Sequence, residues 1–320
     1  YLFEFNLRYD GTSRYRGDTR WNWFPSVSAG WNIANESFWK PMVNQIQVFK
    51  LRASYGKLGN QNTTSWYPTY VTMPVSTGTG TWLINGVKPN VSSAPSLISS
   101  SLTWEKVESW NAGIDFNMLN NRLHGSFDYF VRKTLDMVGP APELPLILGT
   151  SVPQTNNTNL KTYGFEFAIE WRDKIGEVGY NVKLNLSDSQ TEVLDYPNET
   201  NHLWRYRKGQ KIGEIWGYET VGIAKTQQEM DAHLASLGNG GQNAFGSNWG
   251  AGDIMYADLN KDGKIDSGAN TTTDPGDQKV IGNWLARYPF SINLGADWKG
   301  FSISALFQGV MKKDVYSTGY

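Results

Sequence analysis

The chain has no cysteine, few charges and no long apolar run. Without cysteine there is no disulfide framework, no thiol nucleophile and no thiolate metal site. Charged residues make up 18% of the 320 positions, below the roughly 25% of an ordinary soluble domain. No stretch approaches the ~18 consecutive apolar residues of a membrane-spanning helix, and mean hydropathy is −0.47. Lys and Arg number 29 against 30 Asp and Glu, so no basic footprint points to nucleic acid. Helical periodicity is almost missing too. Only "TQQEMDAHLASL" (Thr226–Leu237) reads as a helix.

Aromatics and alternation are plentiful. Aromatic residues are 14% of the chain, and Gly occurs 33 times. Apolar residues fall at every second position, the mark of half-buried strands. The runs are Tyr1–Tyr9, Val27–Ile33, Phe49–Tyr55, Trp110–Met118, Leu123–Val131, Tyr163–Trp171, Tyr180–Leu186, Phe290–Trp298 and Phe301–Phe307. No apolar-face position in them carries a charge. The opposite faces carry Asp115, Asp128, Glu166, Glu170, Arg172, Lys183 and Asp297. Lipid enforces such segregation, since a charge on a barrel's outer wall costs about 2–4 kcal/mol at the midplane. The core of a soluble β-sandwich enforces it as well, so alternation alone leaves both open.

Connection lengths separate the two. Short links at Leu119–Arg122, Asp173–Val178 and Lys299–Gly300, and a medium one at Ala34–Gln47, alternate with excursions at Asp10–Trp23, Leu58–Trp104, Gly139–Leu160 and Leu194–Leu285. Outer-membrane barrels alternate in this way. Several runs cover about nine residues with aromatics at their ends, matching the ~9–11 residues of a tilted spanning strand and the interfacial aromatic belts. The expected fold is all-β, an antiparallel transmembrane barrel with long outer loops. The parity of the links makes residues 194–285 a single outer excursion. Within it the strand-like "GEIWGYETVGIA" (Gly213–Ala224) is expected as a small hairpin or ledge.

The sharpest chemical motif is "DLNKDGKID", Asp258 to Asp266. Asp258, Asn260 and Asp262 fall at positions 1, 3 and 5 of an EF-hand-type loop, Gly263 at 6, the Lys264 carbonyl at 7 and Asp266 at 9. Position 12 falls on Ala269 instead of an acid, and Asp274 or Asp277 would have to replace it. Structural calcium and a metal-free acidic turn are the two readings.

Catalytic candidates are thin. Glu166 and Glu170 stand roughly 13 Å apart along a strand, beyond the ~5–9.5 Å of a glycosidase pair. His124, His202 and His233 lack ligand spacing. No GxSxG, P-loop or dinucleotide fingerprint occurs, and the chain reads as a non-enzyme. Outer-loop aromatics remain: Trp66, Tyr67, Tyr70 and Trp82 are the candidate substrate-binding residues, since flat rings pack on sugars and apolar ligands. Trp204, Tyr206, Trp216 and Tyr218 are further loop aromatics.

Taken together, "FNLRYDGTSRYRGDTRWNWFPSVSAGWNIANESFW", "FKLRASYGKLGNQ", "TWEKVESWNAGIDF", "TYGFEFAIEW" and the block from "GDIMYADLNKDGKID" through "DQKVIGNWLARYPFSINLGADWKGFSISALFQG" resemble the barrel region of SusC/RagA-like TonB-dependent outer-membrane transporters. The likeness spans essentially the whole chain. It departs at roughly Ser267–Gly276, which interrupts the acidic stretch, and at "WLARYP", where the family is Pro-rich. By the resemblance Asp277 is the closing acid of the calcium-like loop. The resemblance implies a plugged barrel of about 22 strands. It also implies import of oligosaccharides or peptides, energised through TonB, beneath a SusD-like surface lipoprotein. It further implies a Gram-negative outer membrane, and a plug, TonB-contact segment and final strands lying outside these 320 residues. Two other readings carry different partners: a soluble calcium-stabilised carbohydrate-binding β protein, and a surface adhesin barrel.

Overall fold

The computed structural model describes residues 1–61, 63, 65–141, 152–238 and 240–315. Its strands are β1 (Leu2–Gly11), β2 (Trp21–Asn32), β3 (Ile46–Asn60), the two-residue β4 (Val75–Ser76) and β5 (Val91–Ser92), β6 (Glu105–Met118) and β7 (Leu123–Gly139). There follow β8 (Thr155–Ile175), β9 (Val178–Asp195), β10 (Glu214–Tyr218), β11 (Thr220–Ile223), helix α1 (Gln227–Leu237), β12 (Ile254–Tyr256), β13 (Gln278–Asn283), β14 (Arg287–Trp298) and β15 (Phe301–Lys312). The nine long strands are hydrogen-bonded neighbours in the order β1-β2-β3-β6-β7-β8-β9-β14-β15, an up-and-down meander. These are the nine alternating runs of the sequence. Of the long link expected at Gly139–Leu160, residues 142–151 lie outside the described residues. Among the described residues no helix is long and apolar enough to cross a membrane.

The chain forms two compact units, Tyr1–Tyr163 with Asp195–Pro197, and Gly164–Leu194 with Asn198–Tyr320. In the first, the registers stack apolar residues into rows across strands. Phe5 faces Val27, Val27 faces Tyr55, Tyr55 faces Trp110 and Trp110 faces Val131. Leu51 faces Ile114, which faces Phe127. In the second unit, Val182 faces Leu294 and Leu294 faces Ala305. A one-residue slip would turn each row onto the polar face.

That polar face is laced with ion pairs. Arg52 reaches Asp115 (Nε–Oδ2 2.8 Å) and, across β6, Asp128 (Nη2–Oδ2 2.9 Å). The crossing needs Gly113, which sits opposite both Arg52 and Asp128; a Cβ there would run into the Asp128 carboxylate. Beyond the last apolar pair of this ladder, Tyr55 with Trp110, Lys57 pairs with the cross-strand Glu108 at 2.9 Å on the side of the apolar rows.

Among the described residues nothing forms a covering layer over the apolar face. Phe127 and Leu294 are each 40% exposed, and Phe3, Phe5, Tyr55, Trp110, Ile303 and Phe307 are exposed too. A soluble sandwich would bury these side chains against a second sheet.

The strands outrun the alternating windows. β8 has 21 residues and β7 has 17, longer than the ~9–11 needed to span. The extra length lies away from the tight turns: β7 adds residues after Val131, where Lys133 takes an apolar-face position while pairing with β6 continues to Leu135. Alternation marks the apolar zone, and the ladder continues past it. At the opposite end the turns are tight. Lys299 and Gly300 (φ 46° and 89°) join β14 to β15 in a two-residue hairpin, a conformation that favours Gly at its second position.

Candidate functional site

Two long excursions between the strands hold the candidate residues. The first is residues 12–20 with 61–104. Tyr15, Phe24, Leu102 and Trp104 form a buried aromatic cluster. Tyr15 is buried, while its neighbours Arg14 and Arg16 are half-buried and exposed. The Trp104 indole donates to the Arg20 carbonyl (3.1 Å). Thr69 is fully buried and its hydroxyl donates to the Arg14 carbonyl (2.9 Å), tying the 65–70 turn to this loop. Burial pushes the Tyr15 phenol up from its ordinary value, Glu105 adds to the rise and the Arg14 charge opposes it.

The structure brings three of the four candidate aromatics together. The Arg14 guanidinium lies 4.6 Å from the Trp66 ring centre and the Arg16 guanidinium 5.2 Å from that of Tyr70, while Tyr67 and Tyr70 meet edge to face at 5.7 Å. Trp66 nevertheless stays 74% exposed. Trp82 stands apart from this cluster, in the segment between the short strands β4 and β5. The two arginines were not among the residues expected from sequence. The available signal was compositional: "SRYR" sets two arginines around one tyrosine in a loop that faces the acid-free 61–104.

The second stretch is residues 198–286, which has a core of its own. Ala224, Met230 and Met255 are buried, with Leu234 and Trp249 packed on them. Helix α1 starts at Thr226, whose hydroxyl accepts from Glu229 N (3.2 Å), and the Glu229 carboxylate accepts from Lys225 N (2.8 Å), a capping pair. Gln242 is fully buried; its Oε1 accepts from Tyr256 N (2.6 Å) and its Nε2 donates to the Ile254 carbonyl (3.1 Å). Arg207 is buried and pairs with Glu214 at 2.9 Å.

The Gly213–Ala224 stretch does not fold back on itself as a local hairpin. β10 pairs with β13, and β11 pairs with β12. Only Glu219 separates β10 from β11, so the run stays extended and takes both partners from downstream.

The acidic loop lies between β12 and β13. Asp258 Oδ1 accepts from Lys261 N (2.6 Å) and its Oδ2 from Gly263 N (2.9 Å). Gly263 takes φ 85°, the left-handed turn that position 6 demands. Asn260 Oδ1 accepts from Asp262 N (3.0 Å), and Asp262 Oδ1 from Lys264 N (3.1 Å). Asp277, fully buried, returns to close the loop: Oδ1 accepts from Leu259 N (2.7 Å) and Oδ2 from Asp266 N (3.0 Å). Asp274 instead accepts from Ala269 N (3.0 Å) within the inserted turn. The Lys264 ammonium sits 2.5 Å from Asp266. That contact holds the Asp266 carboxyl below the usual carboxylate range and raises Lys264. Oxygen donors around a Gly turn suit calcium by type. By placement, no group of three or more Asp, Glu or His among the described residues is poised to hold one ion; backbone N–H groups and Lys264 take up the carboxylates.

A family description, the TonB-dependent receptor-like β-barrel, matches residues 1–319. The TonB-dependent receptor SusC of Bacteroides thetaiotaomicron is 31% identical over 270 residues, covering 84% of this chain and 26% of that protein. The TonB-dependent receptor P3 of Formosa agariphila is 27% identical, covering 96% of this chain and 30% of that one. Solved structures of the RagAB peptide importer in its closed-closed and open-open states superpose with TM-scores of 0.67 and 0.69 at 21% identity, each covering 97% of this chain. At that identity the likeness is one of fold. The chain therefore spans roughly a third or less of the proteins it matches. Nine meandering strands with an uncovered apolar face, and a match along nearly their whole length, place this chain in the TonB-dependent receptor β-barrel family, among relatives of the SusC type.

Proposed function

We propose that this chain is part of an outer-membrane barrel that imports oligosaccharides or peptides in a Gram-negative bacterium. Energy would reach it through TonB, and a SusD-like surface lipoprotein would deliver the cargo. The observation that carries the reading is the uncovered apolar face, with Phe127 and Leu294 in open rows and an opposite face where Arg52 pairs with Asp115 and Asp128. Hydrocarbon satisfies the first face and a wet interior the second. The same face weighs against a soluble carbohydrate-binding protein, which would leave a large apolar surface in water. The family is described as receptor-like, which supports a mechanism of gated passage without covalent chemistry on cargo. Trp66, Tyr67, Tyr70 and Trp82 are the chain's proposed cargo contacts in the outer loops.

Deleting the gene tests the reading. Uptake of one class of oligosaccharide or peptide is expected to stop, and to stop equally when TonB is removed. Unchanged uptake of every cargo contradicts it. A plug-less gene product that binds host surfaces would support the adhesin instead.

For the acidic loop we propose structural calcium, supported by donor type: the side-chain oxygens of Asp258, Asn260, Asp262 and Asp266 and the Lys264 carbonyl, with Asp277 closing the loop. Such an ion would pin the loop and take no part in transport chemistry. Calcium added to the chelator-treated full-length protein should slow proteolysis of residues 198–286, and Asp258→Asn should abolish the effect. Protection that is the same with and without calcium refutes the proposal.

A further inference from the structure

Residues 12–20 and 61–104 carry an unusual charge pattern. Residues 61–104 contain no acid and one base, Lys88; residues 12–20 hold Arg14, Arg16 and Arg20 against Asp18 alone. This outer stretch is therefore positive in a chain whose net charge is −1.

Two of those arginines are held over aromatic rings. Arg14 spends part of its guanidinium on the Gln61 carbonyl (2.8 Å) and the Thr63 hydroxyl (3.2 Å), and it lies over Trp66. Arg16 is exposed, lies over Tyr70, and has no carboxylate partner among the described residues. Beneath them Tyr15 and Thr69 are fully buried and fix both backbones. The result is a buried floor, a widely exposed indole and a guanidinium with open donors. Pre-set geometry of this kind lowers the ordering cost of binding.

We propose that this cluster is a subsite for anionic sugars, oligosaccharides bearing carboxylate or sulfate groups. It deepens the import reading and rests on it. A pyranose ring would pack its C–H face on Trp66, and its acidic group would take charge-assisted hydrogen bonds from Arg16. The guanidinium's planar fork matches both oxyanions. Flat open faces suit a sugar ring better than a peptide, whose recognition rests on strand addition to a sheet edge, on side-chain grooves or on helix seats. The acids nearby are Asp18, two residues from Arg16, and Glu105, which acts on Tyr15, and they are outnumbered by Arg14, Arg16 and Arg20.

The test uses the full-length transporter in detergent. Hexagalacturonate, a sulfated carrageenan hexasaccharide, uncharged maltohexaose and hexaglutamate are titrated by calorimetry and tryptophan fluorescence. At least one anionic sugar is expected to bind more tightly than maltohexaose and to weaken as salt rises. Arg16→Gln should weaken it about tenfold, the size of one lost hydrogen bond to a charged group, while Arg16→Lys should lose less. Trp66→Ala should weaken binding and remove the fluorescence change. Heat-modifiable gel migration confirms that each variant is folded. The proposal is overturned if maltohexaose binds as tightly as both acids, or if Arg16→Gln leaves acid binding unchanged. It is overturned equally if hexaglutamate binds more tightly with the same Arg16 dependence. Failure of the import reading looks different: gene deletion then leaves uptake of all cargo intact, whatever the titrations show.

Discussion

Residues 61–104 and 198–286 are both long outer excursions, yet they are built on opposite plans. The first has one charge in 44 residues and two strands of two residues each. Trp66, Val71, Met73, Val75, Trp82, Leu83 and Val87 are all exposed. The second carries eleven acids against eight lysines and arginines, and folds around its own helix, two short ladders and a buried core. One excursion spends its apolar residues on stability. The other presents them outward, where they serve contact. Low apolar burial with few internal hydrogen bonds also makes a segment open more easily. Proteinase K applied to the folded full-length protein should therefore cut within 61–104 before 198–286.

The largest effect expected from a single change is at Glu214. Removing it as Glu214→Ala leaves Arg207 buried without its partner, at a cost of about 3–5 kcal/mol. Urea-dependent proteolysis should show the 198–286 excursion opening at much lower denaturant, with 61–104 unchanged. Met230→Ala, at a fully buried core position, should cost about 2–5 kcal/mol in the same assay. Thr69→Val leaves the Arg14 carbonyl without its buried donor and should cost about 1–2 kcal/mol, read as faster cutting near residue 65. Trp82→Ala, at a side chain 63% exposed, should change stability by no more than about 0.5 kcal/mol. A large loss there would mean that the segment between β4 and β5 has a core of its own, apart from the cluster of Leu102 and Trp104.

The smallest effect concerns acid. The folded carboxyl of Asp266 is lowered by Lys264, so its contribution is complete above the ordinary carboxylate value and fades as pH falls through the lowered one. Asp266→Asn should flatten that part of the acid dependence of cutting in 198–286, with slightly faster cutting at neutral pH and a difference that vanishes once acid protonates the wild-type carboxyl.

Legibility from sequence follows the same division. All nine long strands were readable because a face against lipid and a face against water impose a strict period of two. Their outer halves were not, since past the membrane both faces meet water and the pattern dissolves while hydrogen bonds continue, as at Arg132–Leu135. The pairing of β10 with β13 was hidden because its partners lie some 60 residues apart. The Arg52–Asp128 link was hidden because the feature that permits it is a missing side chain, Gly113. Asp277 was legible as a closing acid only alongside Asp274 in the residue pattern; the resemblance favoured it, and the structure brings it to the loop. The arginine–aromatic cluster joins segments about 50 residues apart, and neither segment announces the other.

Neighbouring residues on one strand give the most direct test of the central claim. Leu294 and Asn293 are adjacent in β14 and point to opposite faces. Because this stretch has no cysteine, Leu294→Cys and Asn293→Cys can each be spin-labelled in the full-length protein in lipid. Accessibility to oxygen and to a water-soluble nickel complex is then compared. A label at 294 relaxed by oxygen and shielded from nickel, beside one at 293 with the reverse preference, is the predicted result. A label at 294 that prefers nickel, or is sealed from both probes, contradicts the assignment of that face to hydrocarbon.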